Sequence, residues 1–273
     1  MNTDTETDTD GDAVLVTGAS SGIGAEMARV AASDGFDIVL TARREEHLRE
    51  VADAVREEHD VETSVFTNDL SKPDAPRQLY DEVKEAGIEI HTLINNAGFG
   101  VYGGFEEMDA DTELDMLQVN VVSLTQLTKL FVPDMVERGE GGVLSAGSIA
   151  SYFPTPRMAV YGATKAYVLW LTRALAHEFE DDGLTVTAYC PLPVETEFME
   201  KNNVEESAID EGITNDAETV ARNAWNGYRA GRRIVWTSRT GARFARLSRL
   251  LPHRTVTSLS ADVMDEGISY NPF

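Results

Sequence analysis

Apolar runs rich in β-branched residues alternate with helix-periodic stretches from residue 13 to about residue 237, and no Pro/Gly/Ser-rich linker interrupts them. Seven short runs read as strands: Ala13 to Thr17, Asp37 to Thr41, Thr63 to Thr67, Thr92 to Asn95, Gly142 to Ala146, Thr185 to Tyr189 and Arg233 to Thr237. Strand and helix in alternation is the rhythm of βαβ units, whose crossover helices cover both faces of a parallel sheet. The expected fold is therefore α/β, a doubly wound parallel sheet of about seven strands in a single domain over residues 13–240.

Between the fourth and fifth strands, Leu114, Leu117, Val121, Leu124, Thr128, Phe131 and Met135 recur at steps of three and four, which predicts one long amphipathic helix. A second such helix carries Tyr161, with Val160, Tyr167, Leu171, Ala174 and Phe179 available for burial. Two helices of this kind cover the sheet or meet a second subunit. Residues 192–215 break the rhythm, are acidic, and follow the carboxyl end of a strand, where open α/β sheets bind ligands. They are expected to form a substrate lid. Residues 241–273 form a C-terminal extension, and Arg239, Arg243, Arg246, Arg249 and Arg254 make a basic stripe expected to pair with the chain's own carboxylates.

Charge changes this picture more than any other bulk property. Asp and Glu number 47 against 23 Lys and Arg, a formal net charge of -24, which speaks against nucleic acid and anionic membrane as partners. Only five of the basic residues are lysines. Such a surface resembles that of proteins from cytoplasm at molar salt, where a Debye length of about 3 Å screens self-repulsion. A merely acidic protein is the rival reading. The single cysteine, Cys190, excludes an intrachain disulfide and reads as a small buried hydrophobe. Residues 1–12 have no basic region and no apolar core, so a disordered acidic tail is expected rather than a secretory signal. No apolar run approaches the roughly 20 residues that span a bilayer. A cytoplasmic protein is expected.

The chemistry begins after the first strand, at Thr17-Gly18-Ala19-Ser20-Ser21-Gly22-Ile23-Gly24, which leads into a helical stretch closed by Gly35. A strand, a glycine turn and a helix in this order let backbone approach a pyrophosphate and meet its charge with amide groups at the positive helix end. About 20 residues on, where NAD sites place an acid, the chain reads Thr41-Ala42-Arg43-Arg44. Arg43, with Arg44 beside it, suits a 2′-phosphate, so NADP(H) is expected over NAD(H). Asp69-Leu70, after the third strand, is placed to receive an adenine amino group or is an ordinary turn. Tyr161 and Lys165 stand four residues apart on a helix and share a face. At an effective dielectric of about 20 and about 4 Å, the cation favours the phenolate by roughly 4 kcal/mol, on the order of three pKa units.

From residue 13 to at least 237 the sequence resembles the Tyr-x-x-x-Lys type of short-chain dehydrogenase/reductase. Thr17-Gly18-x-x-x-Gly22-x-Gly24 is similar to its cofactor turn, Asn95-Asn96-Ala97-Gly98 to its fourth-strand motif, Asn120 to its helical asparagine, and Ser148, thirteen residues before Tyr161, to its catalytic serine. The resemblance implies a Rossmann-like fold. It implies hydride transfer between a nicotinamide cofactor and a carbonyl or secondary alcohol, with Tyr161 as general acid/base and Ser148 holding the substrate oxygen. Lys165 would lower the Tyr161 pKa and bind the nicotinamide ribose, and Asn120 would support a proton-carrying water. The cofactor set it implies is Gly18, Ser20, Ser21, Gly22, Ile23, Gly24, Arg43, Arg44, Asp69, Leu70, Asn96, Ala97, Gly98, Tyr161, Lys165, Pro191, Val194 and Thr196, with no metal. Family habit adds a homodimer or homotetramer.

Two positions depart from the pattern. Leu192 stands where Pro-Gly is usual, and would be strained if the backbone there had positive φ. Ser21 stands where many NADP users carry a basic residue. Two other readings stay open: a dinucleotide-sensing module without chemistry, and an epimerase or dehydratase of the extended relatives. The spacing of Gly18, Gly22 and Gly24 speaks against the latter. Phe99, Tyr102, Tyr152, Phe153 and Pro154 are candidates to line an apolar substrate pocket, or are core, and Arg157 is a candidate to meet an anionic substrate group.

Overall fold

The structure, a computed structural model, describes residues 12–192, 194, 216–248 and 250–267. The acidic tail, Thr196 and nearly all of the expected lid lie outside the described residues. Seven strands form one sheet: β1 (Ala13–Thr17), β2 (Asp37–Ala42), β3 (Thr63–Thr67), β4 (Ile90–Asn95), β5 (Gly142–Ala146), β6 (Thr185–Cys190) and β7 (Ile234–Trp236). Their order is β3-β2-β1-β4-β5-β6-β7 and every pairing is parallel. The chain runs outward from β1 to β3 and then returns to β4 on the other side of β1. That reversal opens a crevice at the carboxyl ends of β1 and β4.

Helices cover both faces, as the unbroken apolar strands require. On one face α1 (Gly22–Ala32), α2 (Glu45–Glu58) and α7 (Ala217–Arg229) pack onto Val14, Val16, Leu40 and Tyr189, with Trp225 fully buried among them. The Trp225 indole donates to Asp34 Oδ2 at 2.8 Å. On the other face α3 (Ala75–Glu85), α5 (Leu124–Arg138) and α6 (Ala159–Glu178) cover Leu15, Val39, Leu93 and Val143. Ala13 and Leu15 face one layer, Val14 and Val16 the other, so β1 is apolar on both sides.

The long helix expected between β4 and β5 is present but not uniform. It runs as α4 (Ala110–Leu117), a π-helical segment (Gln118–Ser123) and α5. A π turn widens the helix and shifts its phase, so one straight stripe cannot stay buried through it. Leu124, Phe131 and Met135 are buried as expected, whereas Leu114 is 61% and Leu117 37% exposed. In α6 the expected stripe is only partly covered: Tyr167 and Ala174 are exposed, Val160, Leu171 and Phe179 are half-buried with Phe179 against the core, while Lys165, Val168, Leu169, Thr172 and Ala176 are buried. Three of the positions on that inner side, Thr164, Lys165 and Thr172, are polar, which hides it from an apolar-periodicity reading.

Beyond β7 lie α8 (Arg239–Ser248) and α9 (His253–Gly267). Of the basic stripe, the side chains of Arg239, Arg246 and Arg249 lie outside the described residues. Among the described residues neither Arg243 nor Arg254 forms an ion pair with the chain, whereas just upstream Arg222, Arg229 and Arg233 reach Glu218, Asp34 and Glu180.

Candidate active site

The glycine turn sits at the carboxyl end of β1, inside the crevice. Thr17 locks it to β4: its hydroxyl donates to the Ile94 carbonyl at 3.2 Å and accepts from the backbone N–H of Asn96 and Ala97 at 3.0 and 2.9 Å. Asn96 holds it from above, its Nδ2 donating to the carbonyls of Thr17 at 2.9 Å and Gly18 at 3.3 Å. Gly18 has φ 66°, and a Cβ on Gly24 would lie 2.3 Å from the Gly18 carbonyl, so α1 approaches the turn as closely as only glycine permits. Ile23 is packed against the core beneath.

Sequence reasoning missed one residue of this network. Tyr189, fully buried in β6, donates its phenol to Asn96 Oδ1 at 2.8 Å and so ties the strand that leads to Pro191 to the glycine turn. Burial, with Tyr161 and Cys190 nearby adding to it, pushes that phenol far up, so it stays protonated and available as a donor. The signal available was a hydroxyl-bearing aromatic inside an otherwise aliphatic strand.

Of the two arginines after β2, it is Arg44 and not Arg43 that reaches the glycine turn. The Arg44 guanidinium donates to Ser21 Oγ at 2.9 Å and Ser20 Oγ at 3.2 Å, whereas Arg43 is exposed. A cation thus lies beside the turn although Ser21 itself is not basic. Asp69 caps its own turn, its carboxylate accepting from the Ser71 N–H at 3.1 Å. Leu70 is buried and its carbonyl accepts from the Ser123 hydroxyl at 2.7 Å.

The four residues expected to do chemistry converge near the ends of β4, β5 and β6. Asn120 is buried in the π-helical segment. Its Nδ2 donates to the Phe99 carbonyl at 2.9 Å and Thr164 Oγ1 at 3.1 Å, and its Oδ1 accepts from the Phe99 N–H at 3.1 Å. A Cβ on Gly98 would lie 2.9 Å from Asn120 Oδ1 and 3.3 Å from Lys165 Nζ, which brings the fourth-strand motif, the π segment and α6 to one point. Ser148 follows β5 and caps a 3₁₀ turn (Ile149–Tyr152), its Oγ accepting from the Ala150 N–H at 3.1 Å. The Tyr161 phenol hydrogen-bonds with the Ser148 side chain. Lys165 donates to the Ala146 carbonyl at 2.8 Å, and its Nζ lies 5.7 Å from the centre of the Tyr161 ring.

Electrostatics differ from the sequence expectation. Burial raises the Tyr161 phenol above its ordinary value and is only partly offset by the Ser148 hydrogen bond. Burial also brings Lys165 down to about 8. Desolvation is the largest cause of both shifts, because both groups lie in the interior rather than on a solvated helix face.

Leu192 is unstrained: among the described residues Arg157, with φ 65°, is the only non-glycine with positive φ, so Leu192 does not take the left-handed backbone that would have strained it. Pro191 accepts from the Ile149 N–H at 3.0 Å, next to Ser148, and Val194 is buried in the core. Cys190 is buried, and desolvation pushes its thiol to about 12, as a structural residue requires. Tyr152, Phe153 and Pro154 line an open groove beside α6, while Tyr102 is buried. A second, narrower cavity reaches Tyr161 and includes Val101, Phe105, Met108, Met116 and Arg157.

Comparison with known proteins places this architecture. The profile of the short chain dehydrogenase family matches residues 12–207. The sequence is 34% identical to sulfoacetaldehyde reductase 2 of Chromohalobacter salexigens, over 77% of this chain and 85% of that one. It is also 34% identical to a very-long-chain 3-oxoacyl-CoA reductase of Anas platyrhynchos over 67% of this chain, a match that spans only 60% of the relative's length. Among solved structures, a short-chain dehydrogenase from Sphingobium yanoikuyae in complex with NADPH superposes with a TM-score of 0.79 at 30% identity, covering 92% of this chain and 96% of that one. With the glycine turn, the Tyr161/Lys165 helix and the sheet order all in agreement, the chain belongs to the short chain dehydrogenase family.

Proposed function

We propose that the protein is an NADP(H)-dependent oxidoreductase that interconverts a carbonyl and a secondary alcohol, with Tyr161 as its general acid and base. The observation that carries this reading is the convergence of Ser148, Tyr161, Lys165 and Asn120 beside a glycine turn shaped to admit a pyrophosphate. A bound nicotinamide cofactor would supply or accept the hydride. The chain's own residues do the rest. Ser148 hydrogen-bonds the substrate oxygen, and Tyr161, held protonated through the neutral range by burial, gives that oxygen a proton as charge develops on it. Lys165 stands behind the phenol as the cation that stabilises it once the proton has left. The aromatics of the groove suit a bulky or hydrophobic carbonyl.

Preference for NADP rests on Arg44. A 2′-phosphate carries roughly -1.5 to -2 charge by analogy with other phosphate monoesters, and a net charge of -24 opposes its approach. A guanidinium already beside Ser20 and Ser21 offsets both. Arg44→Ala is expected to lower kcat/KM with NADPH, relative to NADH, by roughly 10- to 150-fold. If the ratio moves only on changing Arg43, the assignment belongs to that residue; if neither substitution moves it, the NADP reading fails.

The outward stripe of Phe105, Leu114, Leu117, Val122, Tyr167 and Trp170, each at least 37% exposed, supports a homodimer or homotetramer. The acid-rich, lysine-poor surface supports a cytoplasm at high salt. Thermal melts against KCl are expected to show a midpoint that climbs steeply into the molar range, and light scattering in the same buffers an oligomer. A salt-indifferent midpoint, or a strict monomer, removes the corresponding claim.

A further inference from the structure

The 43 residues from Thr219 to Ala261 contain no carboxylate and nine of the chain's 23 basic residues, while all 47 acids lie elsewhere. The first part of this stretch is accounted for, since Arg222, Arg229 and Arg233 pair with acids. In the second part, Arg243 and Arg254 form no ion pair among the described residues. Along α8, Gly241, Ala245 and Ser248 are buried at steps of four and three, and this inner stripe packs toward Ile149 and Leu192. The outer stripe at the same spacing is Arg243, Leu247 and Leu250. Leu247 is 55% exposed, and Leu250, at the corner between α8 and α9, is 81% exposed, the highest value among the large hydrophobic residues described. On α9, Val256 and Ser260 are buried, whereas Leu259 is 46% exposed and Arg254 is exposed. An outer helix face is normally the polar one. Here, from Arg243 to Leu259, the described outer positions include arginines and leucines and no carboxylate; the first acid, the exposed Asp262, follows Leu259 by one turn.

We propose that the α8–α9 corner is a peripheral membrane-docking element that inserts Leu247 and Leu250 into an anionic lipid surface, with Arg243 and Arg254 meeting the headgroup phosphates. Guanidinium groups flanking protruding leucines, without a carboxylate among them, are the composition of an interfacial amphipathic segment. The net charge of -24 acts against this at long range. Within a Debye length, about 3 Å at molar salt and about 8 Å at 0.15 M, the local charge governs. A protruding apolar corner suits a deformable lipid phase better than a second folded copy, which would have to offer a matching cavity. Docking in this way would turn the side of the molecule around Ile149 and Leu192 toward the bilayer, where apolar carbonyl compounds partition. The proposal does not depend on the redox assignment and is tested without turnover.

The test is co-sedimentation of the full chain with vesicles of phosphatidylglycerol and phosphatidylcholine in equal parts, and with vesicles of phosphatidylcholine alone, at the lowest KCl concentration whose thermal transition still lies well above the assay temperature. The expected result is partitioning to the anionic vesicles only, lowered about fivefold by Arg243→Ser and at least about tenfold by Leu250→Ser. Both positions are exposed, so melting temperature should stay that of the wild type and confirm that the variants fold. No partitioning by the wild type, or equal partitioning by the variants, overturns the proposal. So does a loss of oligomer mass in Leu250→Ser without any change in lipid binding, which would assign the corner to a second copy of the chain.

Discussion

Tyr161→Phe is expected to lose about 10²- to 10⁴-fold in turnover, the usual worth of a positioned general acid, while binding NADPH as the wild type does. The substitution keeps the ring, so the packing of α6 survives. It removes the hydroxyl that hydrogen-bonds with Ser148 and that carries the transferred proton. Fluorescence titration of cofactor and steady-state reduction of a ketone separate the two effects. A variant that reduces ketones at the wild-type rate would remove Tyr161 from the chemistry, whatever its position.

Lys165→Met is expected to abolish turnover as well, yet to make the protein more stable at neutral pH. Lys165 is 6% exposed and burial brings its amine to about 8, against an ordinary value of 10.5. A base whose pKa falls on folding destabilises the native state in its charged form. That cost is fully present below pH 8, fades as pH rises from about 8 to 10.5, and is gone above it. The shift corresponds to about 3 kcal/mol at pH 7. Loss of the hydrogen bond to the Ala146 carbonyl returns about 1 kcal/mol of it. Denaturant melts should therefore show Lys165→Met ahead by about 2 kcal/mol at pH 7, with the lead gone near pH 10.5. A wild type that is the more stable of the two at pH 7 would mean that the site solvates its lysine well. Such a trade of stability for function is common where a buried charge serves chemistry.

The sheet was almost entirely legible from sequence, because each of its seven strands is an apolar run bounded by polar turns, and the observed ends differ by no more than two residues. The glycine turn and the four catalytic candidates were legible for another reason: their spacing is fixed by backbone geometry that tolerates few residue types. Three things were not. The π segment at Asn120 leaves no trace in hydrophobic periodicity, so Leu114 and Leu117 were assigned to the wrong side. The inner face of α6 is polar where it lines the site, so Thr164, Lys165 and Thr172 do not look like core. The choice between Arg43 and Arg44 turns on side-chain direction at the start of α2, which spacing alone does not specify. The same limit applied to the Tyr161/Lys165 pair, whose attraction was reckoned as on a helix surface, whereas both groups are interior.

The most direct test of the central claim is isotopic. NADPH carrying deuterium at the transferable position of the nicotinamide ring is incubated with the protein and a bulky ketone at high salt, and the alcohol is analysed by mass spectrometry and NMR. The account predicts an alcohol with one deuterium on the carbinol carbon, formed faster from NADPH than from labelled NADH, and almost none with Tyr161→Phe. Cofactor binding without deuterium transfer to any member of a carbonyl panel would contradict it and leave a dinucleotide-sensing module in its place.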